Sequence, residues 1–190
     1  YDRLVFDNSY HYRHLLNKAV IPTPQGLYFN GTSFLRSKEP VTLPDVFTFS
    51  ATVNCAVSTT TFQRIFETES VSVYRSSNST AISVQYYNTN TASFTQVYIN
   101  NFFIDNTDID TKIEVDFISK QIKVYRNNTL FYSGSVPYIQ KQAESYLYIG
   151  ATKSLLTNYL IGYMRNICIY DTSLTDTQRN WLAQGNTPPI

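Results

Sequence analysis

The chain has 190 residues, 43% hydrophobic and only 15% charged, with a net charge of +1. That length suits one ordinary domain with a sizeable core, and the near-neutral balance excludes the field needed to grip a nucleic-acid backbone. No apolar run approaches the roughly 18 residues of a membrane span, and no charged-then-apolar signal segment opens the chain. Tyr1 in place of Met predicts that a leader or upstream domains have been removed. With so few ions, the surface is left to Ser, Thr, Asn, Gln and Tyr, a covering common outside cells.

The period-two alternation of a strand buried on one face is clearest at 47–57. There Phe47, Phe49, Ala51, Val53, Cys55 and Val57 alternate with Thr48, Ser50, Thr52 and Asn54. It recurs at Val71 and Val73, at Ile82, Val84 and Tyr86, and at Val97 and Ile99. Further on it returns at Ile113, Val115 and Phe117, at Ile122 and Val124, and at Leu147 and Ile149. Polar turn clusters at 76–80, 88–93, 105–110 and 126–128 separate these runs at the spacing of a sandwich, with no βαβ alternation to suggest a parallel sheet. Thr175, three residues before Gln178, offers a capping box for one short helix over 176–183, docked by Trp181 and Leu182 and stopped by Gly185, Pro188 and Pro189. No internal repeat or interior linker is visible, so residues 1–190 read as a single domain whose Pro-Pro end begins a connection.

Taken in order, these segments resemble the laminin G-like branch of the concanavalin A-like lectin superfamily. GLYFNGTSFL (26–35) is similar to its early strand and FTFSATVNC (47–55) to its long core strand. KQIKVYRNNTLFYSG (120–134) is similar to its hairpin, YLYIGAT (146–152) to its "yiGa" strand, and GYMRNICIYDTSLTDTQ (162–178) to its closing signature. Asn128 replaces the usual turn Gly, and Asn54 with Cys55 stands where the family often has Trp. The resemblance implies an all-β, two-sheet antiparallel jelly roll with one short C-terminal helix. It also implies that the first strands pair with the closing strand at Ile167 to Tyr170, so that the two ends of the chain meet. It supplies no ligand, because sites on such a fold lie in loops and on sheet faces that vary freely.

The sharpest enzymatic candidates are Glu114 and Asp116, two apart on one strand face, as in the E-x-D-x-x-E of laminarinase-like glycosidases. The third acid is missing, since Ser119 and then Lys120 stand where the proton donor belongs. The plain expectation is that both carboxylates lie on a solvated face and that no catalytic residue is present. Asp105, Asp108 and Asp110 form an acidic turn that is the one candidate for calcium, without the spacing of a known calcium loop. No other cofactor is suggested: His11 and His14 alone make neither a zinc site nor a triad, and no nucleophile or phosphate-loop motif occurs. Asn30, Asn78 and Asn127 head glycosylation sequons in turn-like stretches, a number that chance alone would supply.

The excess of tyrosine, sixteen in all, is the most informative feature. If Val73, Val97, Val124, Leu147 and Ile149 point inward, Tyr74, Tyr98, Tyr125, Tyr146 and Tyr148 fall on outer sheet faces, where a flat ring with a polar tip suits sugars or a protein interface. Simple strand propensity explains the same excess. The same parity places Cys55 inward and Cys168 outward, between Ile167 and Ile169, and so predicts two thiols and no bridge. The function expected is non-catalytic recognition of a glycan or protein ligand by an extracellular or cell-surface module. The alternatives are a self-assembling subunit of an extracellular filament, spike or coat, and a glycosidase lacking its third carboxylate.

Overall fold

The computed structural model describes residues 4–5, 15–56, 61–154 and 157–184, without the side chains of 4, 5 and 183. In chain order the strands are β1 (Leu4–Val5), β2 (Leu15–Lys18), β3 (Ile21–Thr23), β4 (Gly26–Asn30), β5 (Phe34–Ser37), β6 (Val46–Cys55), β7 (Gln63–Glu67) and β8 (Val71–Arg75). They continue with β9 (Ile82–Asn88), β10 (Ser93–Ile99), β11 (Ile109–Asp116), β12 (Gln121–Arg126), β13 (Thr129–Ser135), β14 (Tyr148–Ile149) and β15 (Ile161–Tyr170), followed by helix α1 (Asp176–Ala183). An eight-stranded sheet runs β1-β2-β5-β14-β7-β8-β9-β10, and a seven-stranded sheet runs β13-β12-β11-β6-β15-β4-β3. Both are antiparallel, as the alternating pattern requires of sheets that each bury one face.

The core lies between them. The alternation in β6 sends Phe47, Phe49, Ala51, Val53 and Cys55 inward, all essentially without exposure. Phe49 meets Phe66 of the opposite sheet in a stack with centroids 4.4 Å apart, and Phe47 meets the same ring edge-on at 6.5 Å. Each such buried ring contributes about 1.5–3 kcal/mol, so this aromatic seam is a principal tie between the sheets. Every periodic run of the sequence became a strand, although Val57 lies outside the described residues, Phe117 follows the end of β11 and Leu147 precedes a β14 of only two residues.

α1 begins where the capping box puts it: Gln178 N–H donates to Thr175 Oγ1 at 3.2 Å, and Thr175 N–H donates to Gln178 Oε1 at 2.8 Å. Trp181 is 47% exposed and Leu182 half-buried, and polar residues of the helix add to the docking: the Arg179 guanidinium lies 4.1 Å from the centre of the Tyr125 ring, and Asn128 Nδ2 donates to Asn180 Oδ1 at 3.4 Å. The stem and flat head of an arginine can cover an aromatic face on the sheet.

The closing strand also departs from the implied pairing. β4 pairs with Ile161 to Met164, whereas Cys168 to Tyr170 pair with β6. Between them three steps along β15, from Arg165 to Cys168, oppose two on β6, with Asn166 at φ 53°. This bulge inserts one residue. It lets Met164, Ile167 and Ile169 all face the core and turns Cys168 outward opposite Ser50. The terminal residues themselves, like His11, His14 and the Gly185 to Pro189 stop, lie outside the described residues.

Both cysteines are thiols, as parity predicts. Burial pushes the Cys55 thiol up to about 12, against the opposing pull of Arg75. Since the thiolate is the reactive species, alkylation of the native protein is expected to label half-buried Cys168 well before Cys55, and both only after denaturation. Equal labelling rates, followed by mass spectrometry, would contradict this.

Candidate functional site

Parity puts Tyr74, Tyr125 and Tyr148 on outer faces as expected, but none of the three is a surface plate. Tyr74, 5% exposed, lies under Arg64 with its hydroxyl on Gln96 and its ring 5.2 Å from Phe62. Tyr125, 6% exposed, is covered by Arg179 of α1. Tyr148, 8% exposed, packs with Phe34, Ala151 and Tyr159 beneath the segment that joins β14 to β15. Strand parity sees only the sheet and cannot show what crosses over it. Tyr98 and Tyr146 are exposed, the latter with Arg36 4.8 Å from its ring centre.

The acidic candidates are likewise engaged. Asp105 pairs with Arg75, Asp110 with Lys112, and Asp108 with Arg165 at 2.7 Å. The three carboxylates serve three different cations, and among the described residues no group of three or more His, Cys, Asp or Glu could hold a metal ion. Glu114 corrects the solvated-face expectation: it is 4% exposed and accepts from Lys123 Nζ at 2.7 Å. Asp116 accepts from the Ile118 and Ser119 N–H groups, both at 2.8 Å, closing the turn after β11. A glycosidase needs its two carboxyls facing one sugar bond, which this arrangement does not offer.

Burial pushes the Asp116 carboxyl up, but hydrogen bonds from Ser119 and Ile118 and the Lys123 charge outweigh it and hold the group below its usual value. The hydrogen bond to Glu114 holds the Lys123 ammonium above its usual value. A depressed acid stabilises the fold above its unfolded pKa and loses that contribution as pH falls through the lower folded value. A raised lysine contributes below its unfolded pKa and loses it as pH rises through the higher folded value. Urea midpoints are therefore expected to be flat at neutral pH and to fall below pH 3.8 and above pH 10.5, the ordinary values of these two groups. Glu114→Gln should weaken the alkaline loss, and an unchanged alkaline limb in that variant would contradict the pairing.

The three sequon asparagines are exposed: Asn78 and Asn127 sit in turns with positive φ, whereas Asn30 is the last residue of β4 rather than a turn residue. Asn127 and Asn128, at φ 48° and 64°, form the two-residue turn between β12 and β13. Asparagine tolerates this left-handed conformation, which explains how Asn128 replaces Gly.

One concavity involves none of the five tyrosines. It is an open cleft of about 480 Å³ lined by Gln25, Asn54, Asn106, Thr107, Asp108, Tyr163 and Arg165. In register, Tyr163 of β15 stands between Tyr28 of β4 and Asn54 of β6, so all three side chains emerge from the outer face of the seven-stranded sheet. The Tyr28 and Tyr163 rings lie with centroids 5.0 Å apart at 42°. Beside them Asn54 Nδ2 donates to Asp108 Oδ1 at 2.9 Å, while Arg165 pairs with Asp108 Oδ2. The carboxylate is thus fixed from two sides, each oxygen keeping further acceptor capacity. Asn106, at φ 52°, is anchored by its N–H on the Cys55 carbonyl at 2.9 Å, which holds the loop at the end of β6.

Two glycines let the strands under this cleft close up. A Cβ on Gly162 would lie 2.0 Å from the Asn54 carbonyl oxygen, and one on Gly26 would lie 2.6 Å from that of Met164. The bulge after Arg165 then turns the strand away from the cleft. One signal in the sequence does point here: inward Met164 implies outward Tyr163, and Asn54 lies on the polar side of its strand. That Gln25, Asn106 and Asp108 meet them depends on two loops and is not visible in any periodicity. A second, smaller groove holds Tyr146 and Tyr148 with Glu69, Glu144 and Lys153, but its cation and one acid, Lys153 and Glu69, are paired with each other.

No family model matches the chain, and no curated protein matches it in sequence. Solved structures share its fold. The receptor-binding domain of botulinum neurotoxin C/D mosaic serotype superposes with a TM-score of 0.72 at 12% identity, over 95% of this chain and 48% of that one. The botulinum neurotoxin serotype D ligand-binding domain, solved in complex with N-acetylneuraminic acid, gives 0.67 at 10% identity, over 97% and 50%. The binding domain of Paraclostridial Mosquitocidal Protein 1 gives 0.69 at 14% identity, over 96% and 52%. This chain therefore spans about half the length of each. At such identity the likeness establishes the two-sheet jelly roll and nothing about the site.

Proposed function

We propose that this chain is a non-catalytic recognition module, laminin G-like within the concanavalin A-like class, that binds a glycan in the Tyr163 cleft as part of a secreted or surface-displayed protein. The observation that carries this reading is the meeting of a tyrosine ring, itself paired with Tyr28, with a fixed carboxylate and three side-chain amides in one open concavity. A pyranose ring has an apolar face that packs on an aromatic plate, and hydroxyls at its edge that need acceptors and donors held in place. Tyr163 supplies the first. Asp108, oriented by Asn54 and Arg165, supplies the acceptors, and Asn106, Gln25 and Thr107 supply mixed donors and acceptors. One further point supports a sugar as the ligand class: one protein of this fold, a ligand-binding domain, is solved in complex with N-acetylneuraminic acid.

The test is a glycan array probed in parallel with the parent chain and with Tyr163→Ala. The expected result is a defined set of hits for the parent, each weakened about tenfold or more by the substitution, the loss of about 1.4 kcal/mol or more that one aromatic anchor supplies. Equal binding by both proteins would reject the cleft, and an array without hits would reject the glycan.

A further inference from the structure

We propose that β10 is a docking edge for a second copy of this chain, joined antiparallel about a twofold axis through Gln96. β10 ends the eight-stranded sheet and is bonded to β9 alone, in unbroken register from Ser93 opposite Asn88 to Ile99 opposite Ile82. Its far side is a row of backbone N–H and C=O groups, and among the described residues no backbone hydrogen bond from elsewhere reaches Ser93 to Ile99. Folded proteins guard such edges with charge, proline, bulges or brevity, because an unguarded edge accepts another strand.

Both edges of the seven-stranded sheet are guarded: β3 has three residues with Pro22 at its centre, and β13 is broken by a register shift opposite Val124 and Tyr125. β10 has none of these devices: from Ser76 to Ile104 the sequence contains neither a charged residue nor a proline.

The strand's own sequence selects the occupant. Laid antiparallel on itself about Gln96, SFTQVYI sets Phe94 opposite Tyr98, Thr95 opposite Val97, and Gln96 opposite Gln96. Val97 packs toward the core, so Phe94, Gln96 and Tyr98 share the outer face, where Phe94 and Tyr98 are 41% and 47% exposed. The twofold therefore creates two aromatic cross-strand pairs outside and two β-branched pairs within, both favourable classes. A two-residue slip would set each aromatic ring against glutamine or nothing. Because the twofold uses the β10 edge of both copies and both edges of the seven-stranded sheet are guarded, pairing closes at two copies. One strand pair makes a small interface, so the dimer is expected to be weak and concentration-dependent.

Sedimentation velocity of the 190-residue chain from micromolar to near-millimolar concentration tests this, and because it reads mass it is independent of glycan binding. A monomer-dimer equilibrium is expected, with Gln96→Lys, which sets two cations face to face on the axis, weakening it at least tenfold. In a Cys168→Ser background, Gln96→Cys is expected to form an oxidised dimer bridged between the two substituted positions, and Tyr98→Cys is not. A monomer throughout the range, a dimer indifferent to Gln96→Lys, a dimer that Gln96→Cys leaves unbridged, or growth beyond two copies would each overturn the proposal.

Discussion

Replacing Arg75 by Ala is expected to lower the stability of the chain by about 3–5 kcal/mol, read as a shift of the urea midpoint at unchanged slope. Arg75 is the largest fully buried side chain, and in β8 it points toward the interior between Gln63 and Ile82. Its Nε donates to the Ser79 carbonyl and its Nη1 to the Ala56 carbonyl, both at 2.9 Å, while Nη2 meets Asp105. Three connections after β6, β8 and β10 are thereby tied to one guanidinium. Asp105 remains 39% exposed at its side chain, so water can take over much of the ion pair. Most of the expected loss therefore comes from two carbonyls deprived of their donor and from the void left behind. Asp105→Asn is expected to cost clearly less, and equal losses would show that the charge pair dominates. Arg75→Lys should not rescue, because a single ammonium cannot serve three directions at once.

The second large effect is expected at Gly162. Ala at this position would need φ near 139°, which L residues rarely adopt, and its Cβ would meet the Asn54 carbonyl at 2.0 Å and the Ala56 nitrogen at 3.2 Å. The opposing atoms belong to the backbone of the central strand of the sheet and cannot turn aside as a side chain would. A loss of about 3–4 kcal/mol is expected, combining backbone strain with displaced pairing. The fraction that still folds should carry Asn54 out of position against Asp108 and lose glycan binding as well. A Gly162→Ala protein of parental stability would contradict the close approach of β15 and β6.

The core of this fold was legible because alternation is a local property. The outer and inner residues of β6, β8, β9, β11 and β12 follow from their order alone, as does the start of α1 at Thr175. β7 was not found, and its register explains why: a shift between Arg64 and Phe66 lets the adjacent Ile65 and Phe66 both join the core, so no period of two runs through it. Arg64 and Glu67 lie at 3.0 Å from each other on the outer side, and Lys153 N–H donates to Glu67 at 3.0 Å from the segment that covers them. A charged residue hidden under a crossing segment looks, in sequence, like one facing water. The same reason hid Tyr125 and Tyr148, whereas Tyr74 is covered by Arg64 of neighbouring β7 and Glu114 is engaged by Lys123 of neighbouring β12. Of the cleft, Tyr163 and Asn54 could be placed on an outer face from parity, whereas Gln25, Asn106 and Asp108 reach it through loops whose paths no period encodes.

The cleft is tested most directly by nuclear magnetic resonance of the labelled chain, titrated with the strongest hit from the glycan array. Side-chain amide signals of Gln25, Asn54 and Asn106, together with the Tyr163 ring and Arg165 signals, are expected to shift as one saturable set, while Tyr146, Lys153 and the rest of the second groove stay in place. Shifts confined to that second groove, or to the exposed face of β10, would contradict the assignment of recognition to the Tyr163 cleft.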